Sequence, residues 1–287
     1  MSTSVTTAFV QQYSANVQML SQQMGSRLRD AVRVENITGK NAFFDQVGVA
    51  TAQLRTSRHA DTPQIDTPHA RRRVSLADYE YADLIDDQDK VKMLIDPTSS
   101  YAMAAASAMG RAMDDVIITA ALGTAFTGET GSTSTSFSSD NQIANGSADM
   151  SVAKLIEAKK LLDLGDVDPS IPRYIAVGPN QIEALLNTTS VTSSDFNTVK
   201  ALVQGEVDTF MGFKFIVSNR LSKSGNIRSC FAWAEDGLAL GIGKDINARI
   251  DERADKGYST QVYCCMSVGA TRMEEAKVIQ INCDESA

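Results

Sequence analysis

Histidine is scarce in this chain: two residues of 287, His59 and His69. Neither H-E-x-x-H nor G-x-S-x-G occurs, so the common helical zinc-protease and serine-hydrolase signatures are excluded. Cysteine is scarce as well. Cys230, Cys264, Cys265 and Cys283 form no C-x-x-C pair, and the adjacent two lie in a strand-like run where neighbours face opposite ways. They read as small buried hydrophobes, kept as thiols in a reducing compartment. No apolar run approaches the ~20 residues of a membrane span. The first twenty residues lack the basic and apolar regions of a signal peptide, so a cytoplasmic site of synthesis and use is expected. Positive charge is also lacking: the net charge is −8, against the basic surface of proteins that neutralise nucleic-acid phosphates.

What is present is a globular composition, 43% hydrophobic and 22% charged, long enough for one large domain or two modest ones. Residues 1–38 are rich in Ser, Thr and Gln. Phe9, Val10, Tyr13, Val17, Leu20 and Met24 recur at loose helical spacing, as expected of an arm that packs on something else. "FFDQVGVATAQLRT" and "RRRVSLADYEYADLI" predict the two strands of one long hairpin over 41–86, with Pro63 and Pro68 marking its tip. Asp96 and Pro97 predict the start of a helix that runs to Leu122, about 39 Å at a rise of about 1.5 Å per residue. Tyr101, Ala105, Met109, Met113, Ile117 and Ala120 share one core-facing stripe of it.

Residues 127–149 are a Gly/Ser/Thr/Asn loop. A capped helix from Ser151 to Leu164 follows, ended by Gly165, then a buried strand at Arg173–Pro179 and a helix from Asn180. "EVDTFMGFKFIVSNRL" and "SCFAWAEDGLALGIG" predict strands with glycine turns. The last segment predicts two closing strands joined around Glu274–Glu275. The class is α+β, without regular βαβ alternation.

The stretch "HADTPQIDTPHARRRV" holds both histidines, two Asp-Thr-Pro units and three arginines. A metal centre from His59, His69, Asp61 and Asp66 is one reading. Turn-forming Asp-Thr-Pro units at a hairpin tip are the other, and no supporting shell is visible for a metal. "GLALGIGKD" departs from a phosphate loop, with Leu238 at the first glycine position and Asp245 after the lysine. It reads as a tight strand turn. Paired acids such as Asp86–Asp87 and Glu274–Glu275 read as a solvated or interface face rather than an acid–base pair. No metal, cofactor or catalytic constellation is expected.

One charge pattern is informative. Arg55, Arg58, Arg71, Arg72 and Arg73 oppose only Asp61 and Asp66, a net of +3. Asp78, Glu80, Asp83, Asp86, Asp87 and Asp89 oppose Lys90 and Lys92, a net of −4. A basic hairpin end and an acidic base complement each other between copies, with Arg55, Arg58, Arg71, Arg72 and Arg73 reaching Asp83, Asp86 and Asp87.

An arm, a long hairpin, a long helix, an α+β region and late closing strands follow in a recognisable order. That order, with the long stretch from "SRHADTPQIDTPHARRRV" through "MGRAMDD" and with "MGFKFIVSNRL" and "FAWAEDGLALGIGKDINARI", resembles the major capsid proteins of tailed double-stranded DNA phages, the Hong Kong ninety-seven-like fold. The resemblance spans nearly the whole chain. It implies an N-terminal arm at 1–40, an extended hairpin loop and its base at 41–95, and a peripheral domain with the spine helix at 96–165. An axial domain at 166–250 and return strands at 251–287 complete it.

It further implies self-assembly into the icosahedral head, as hexamers and pentamers around the packaged DNA, in the host bacterial cytoplasm. The DNA would be contacted weakly and without sequence specificity, with no membrane involved. Scaffolding, portal and decoration proteins are the implied partners. No lysine stands between Lys40 and Lys90, so the lysine–asparagine cross-link of some relatives has no nucleophile in the loop. The short arm points to a separate scaffolding protein. A nanocompartment shell of the same fold and, more remotely, a cytosolic metal-dependent enzyme are the alternatives.

Overall fold

The computed structural model describes residues 21–58, 61–62, 64–86, 98–187 and 209–286. The helical spacing expected from Phe9 to Leu20, and the expected start of the long helix at Asp96–Pro97, lie outside these residues. So do His59, Pro63 and Asp87. The strands in chain order are β1 (Arg33–Asn36), β2 (Asn41–Val47), β3 (His69–Ser75), β4 (Ala77–Ile85), β5 (Ala125–Thr127), β6 (Thr133–Thr135), β7 (Gln142–Ile143), β8 (Arg173–Val177), β9 (Thr209–Phe210), β10 (Phe213–Val217), β11 (Lys223–Ser224), β12 (Ile227–Ala234), β13 (Leu238–Arg253), β14 (Ser259–Arg272) and β15 (Val278–Asp284). Helices α1 (Thr98–Leu122), α2 (Val152–Leu164) and α3 (Pro179–Asn187) are interspersed. Two compact units result. The larger takes Ser26–Asp78, Ala112–Asp245 and Ser267–Ala287, and the smaller takes Met1–Gly25, Tyr79–Arg111 and Ile246–Met266.

The larger unit is built on a mixed sheet in the order β7-β15-β12-β8-β10-β9, with β11 on β12. Its centre, β12, does not alternate: Cys230, Phe231, Ala232, Trp233 and Ala234 are all fully buried, the mark of a strand covered on both faces. Trp233 lies against Phe231 and Tyr174, with ring centroids 4.8 and 5.8 Å away, and its indole N–H donates to the Ala31 carbonyl at 2.8 Å. Helix α2 covers β15. Ser151 accepts from the Lys154 amide as its N-cap, Gly165 ends it, and Leu155, Ala158 and Leu162 are its buried stripe. Lys154 is buried too, its ammonium satisfied by the carbonyls of Asn145, Ala148 and Asn282 at 2.7–2.9 Å.

The long helix carries its expected stripe through Ala105, Met109, Met113 and Ile117, all buried. Tyr101 is 36% exposed, so the core-facing part of the stripe begins a turn later. Asp114 on the same helix is fully buried and accepts from the Ser26 hydroxyl and from the amides of Arg27 and Leu28.

Three expectations need correction. The stretch 127–149 is not all loop: β6 pairs with β5, and β7 joins β15. The hairpin is shorter than 41–86: β2 pairs with β3 from Asn41↔Ser75 to Val47↔His69, and the run after Leu76 becomes β4, which joins β14 in the sheet β1-β13-β14-β4. Of the glycines in "GLALGIGKD", Gly237 closes the expected turn, the 3-10 segment Glu235–Gly237 between β12 and β13, but Gly241 and Gly243 do not turn the chain. Strand β13 runs straight through Gly241 and Gly243, because a Cβ on Gly241 would collide with the Ile37 side chain and one on Gly243 with Leu76. Close approach, not φ freedom, selects glycine there.

Candidate assembly interface

The hairpin alternates in the strand period. On β2, Ala42, Phe44 and Gln46 are half-buried while Asn41, Phe43, Asp45 and Val47 are exposed. On β3, Arg72 and Val74 are buried. Pairing ends where proline removes a donor: the last bond runs from the Gly48 amide to the Pro68 carbonyl at 2.8 Å, and Pro68 has no N–H to return. Beyond it, the described residues between 49 and 67 form no strand, and Val49 and Leu54 are 91% and 88% exposed. A loop closed at its neck thus presents apolar side chains to solvent.

The three arginines at its neck sit inside β3 and not at the tip. Arg71 pairs with Asp45 across the register at 2.5 Å and lies 5.6 Å from the centre of the Phe43 ring. That hydrogen bond raises the Arg71 pKa and lowers that of Asp45. Arg73 lies over Phe126 of β5, 4.6 Å from the ring centre. Arg72 points inward. Its Nε donates to the Met273 carbonyl at 2.8 Å and its Nη2 to Glu275 at 3.2 Å, and burial pulls its pKa down. Glu275 also holds Arg272 at 2.7 Å, and Arg272, with no exposed surface, donates to the carbonyls of Ala121 and Gly123. One carboxylate therefore serves two buried guanidiniums.

The other candidates divide. Arg55 and Arg58 are exposed in the loop, and Arg55 donates to the Ser57 carbonyl at 3.1 Å. In the smaller unit Asp83 accepts from the Tyr81 hydroxyl and the Leu84 amide, and Asp86 accepts from Ser259 at 2.5 Å. Asp87 lies outside the described residues. His69 opens β3 opposite Val47. Among the described residues no three His, Cys, Asp or Glu side chains are grouped to hold a metal ion.

Sequence reasoning missed the polar anchors. Glu285 follows β15 and is gripped by Arg228, Lys223 and Gln181, with its carboxyl held down to about 2, chiefly by the Arg228 hydrogen bond. Lys154, Arg272 and Asp114 are likewise buried charges, and nothing in a single sequence separates them from solvated ones. The whole arrangement contains a core stapled by internal ions and one exposed loop with apolar and cationic side chains. It is suited to contact with a partner surface.

A family model described as phage capsid protein matches residues 5–285. No curated protein matches the chain. Among solved structures, the capsid of cyanophage P-SCSP1u superposes with a TM-score of 0.77 at 18% identity, covering 99% of this chain and 95% of that one. The head of Helicobacter pylori bacteriophage KHP40 gives 0.75 at 12%, covering 99% and 98%. Mycobacterium phage Che8 gives 0.70 at 16%, covering 95% and 96%. At such identities the likeness is one of fold, and it extends over nearly the full length of both chains.

Proposed function

The chain belongs to the phage capsid protein family and is a structural protein of the phage head shell; from that premise we propose how it builds the wall. Its copies associate as hexamers and pentamers of an icosahedral head around double-stranded DNA, in the host bacterial cytoplasm. The chain catalyses no reaction in doing so. The family match favours this reading over a nanocompartment shell and over a metal-dependent enzyme.

The observation that carries the assembly reading is the loop beyond Gly48 and Pro68. Its Val49 and Leu54 are almost wholly exposed and Arg55 and Arg58 lie beside them, a surface that a lone subunit leaves wet. In this reading the loop lies over a neighbouring subunit, residues 166–250 form the axial domain, and residues 96–165 with 251–287 form the peripheral one. Arg55 and Arg58 carry the intersubunit charge. Arg71, Arg72 and Arg73 brace the loop's neck through the partners already described. The association is non-covalent, since no lysine stands between Lys40 and Lys90. A separate scaffolding protein, a portal and decoration proteins complete the head, and the acidic balance keeps DNA contacts loose.

Electron microscopy of the full chain, expressed alone and with a scaffolding protein, tests this. Shells, rings or capsomers are expected. A strictly monomeric chain in both cases would overturn the reading.

A further inference from the structure

The wall reading leaves open what the loop of a second copy touches, and the larger unit offers a surface for it. Among the described residues strand β1 is an edge of its sheet, paired in parallel with β13. The Ile37 amide bonds the Ile242 carbonyl, which sets the alternation along the strand. The peptide groups of Val34 and Asn36 therefore face the open side, where no strand among the described residues lies.

Beside β1 runs a cleft of about 570 Å³, whose apolar wall includes Val32, Val34, Ile171 and Pro172. Its charged rim is lopsided. The cations are engaged within the chain: Arg29 forks onto Asp245 at 3.1 and 2.7 Å, and Arg33 holds Glu35 at 2.7 Å. The acids are less engaged. Asp236 gives one oxygen to Lys277 at 2.7 Å while its other oxygen, Oδ1, is buried without a hydrogen-bond partner. The Glu235 amide donates to the Pro172 carbonyl at 3.0 Å, while its half-buried side chain, on the same rim, has no hydrogen bond or ion pair to another described residue.

An open strand edge, an apolar wall and the unpartnered Glu235 carboxylate beside Asp236 ask for an extended segment with an apolar and a guanidinium side chain. This chain exposes such a segment itself. Residues 51–56 carry no secondary structure, Leu54 is 88% exposed, and Arg55 and Arg58 are its cations. In an extended segment neighbouring side chains face opposite ways, so Leu54 and Arg55 separate wall from rim.

We infer that residues Val49–Arg58 of a second copy lie along β1 as an added strand, with Leu54 on the Ile171–Pro172 wall and Arg55 at Glu235 and Asp236. This rests on the head-shell reading and adds the receiving surface to it.

The test uses full-length chain assembled into particles. Arg55→Cys with Glu235→Cys is oxidised with glutathione disulfide and run without reductant. Most of the chain should migrate as covalent multiples, and neither single substitution should do so. As a second measure, Glu235→Arg should reduce particle yield at least tenfold, and adding Arg55→Glu should restore most of it. Thermal unfolding of the unassembled variants checks that each folds. If the parent and the double-cysteine chain form particles that do not cross-link, and the charge swap restores nothing, the inference falls while the shell reading stands. If the parent forms no particles under any assembly condition, the shell reading falls and takes the inference with it.

Discussion

The base of the β2–β3 hairpin and the loop that joins its strands contain the same kinds of residue and use them in opposite ways. Both carry arginines beside apolar side chains. At the base, Arg72 is 8% exposed and shares Glu275 with Arg272, while Arg71 and Arg73 lie across Phe43 and Phe126. In the loop, Arg55 and Arg58 are exposed and Leu54 is 88% exposed. The difference is strand pairing. Where the register holds, alternation drives every second arginine inward and the fold must supply its partners. Beyond Pro68 there is no register, and the partners must come from another molecule. Damage to the base should therefore appear in the stability of the lone subunit, and damage to the loop only in assembly.

The largest expected effect tests the base. Glu275→Leu leaves the Arg72 and Arg272 guanidiniums buried without their shared carboxylate, and should cost about 3–5 kcal/mol in chemical unfolding of the unassembled chain. A midpoint equal to that of the parent would erase the contrast between base and loop. Gly131→Val comes next. Gly131 has φ +63°, and a Cβ there would stand 2.7 Å from Cδ of Arg73. Backbone strain and displacement of Arg73 from Phe126 should together remove about 1–3 kcal/mol, read by the same unfolding curve.

A smaller effect asks whether the internal ions outside the hairpin behave like those at its base. The Glu285 carboxyl is depressed from the usual 4.5 to about 2 in the folded chain. The unfolded state therefore binds the proton first as pH falls. The stabilisation from this group is complete above about pH 4.5 and lost progressively toward pH 2. Glu285→Gln should flatten that part of the stability-against-pH curve, and an unchanged acid limb would remove Glu285 from the group of internal staples. The smallest effect on the subunit belongs to the loop. Leu54→Ser with Arg58→Ala should leave unfolding within about 0.5 kcal/mol of the parent. Particle yield by electron microscopy should nevertheless fall. A destabilised subunit with normal particles would invert the comparison.

The sequence displayed the elements better than their partners. Helix α2 was legible to the residue because Ser151 and Gly165 mark its ends by local chemistry. The closing strands around Glu274–Glu275 were legible for the same reason: alternation and turn residues are short-range signals. Strand β4 was legible as a strand but not as a member of the β14 sheet, because periodicity says which face is buried and not what covers it. Gly241 and Gly243 misled, since a glycine chosen for close approach and one chosen for a turn look alike in one sequence. At the interface, Arg55 and Arg71 look equivalent as letters. Only the register, set by long-range pairing, makes one exposed and the other the partner of Asp45.

The separation in sequence between partners in the larger unit also has a consequence in time. Trp233, the largest side chain of the core, closes its indole hydrogen bond on Ala31, 202 residues earlier. During synthesis, the start of the larger unit must leave the ribosome and wait until its distant partners emerge. Contacts of such sequence separation form slowly. The complete central sheet needs β15 beside β12 and so needs the chain nearly to its end, and a subunit is expected to join others only once it is finished. The order of events in head building, fold first and join second, is written into which strands are neighbours.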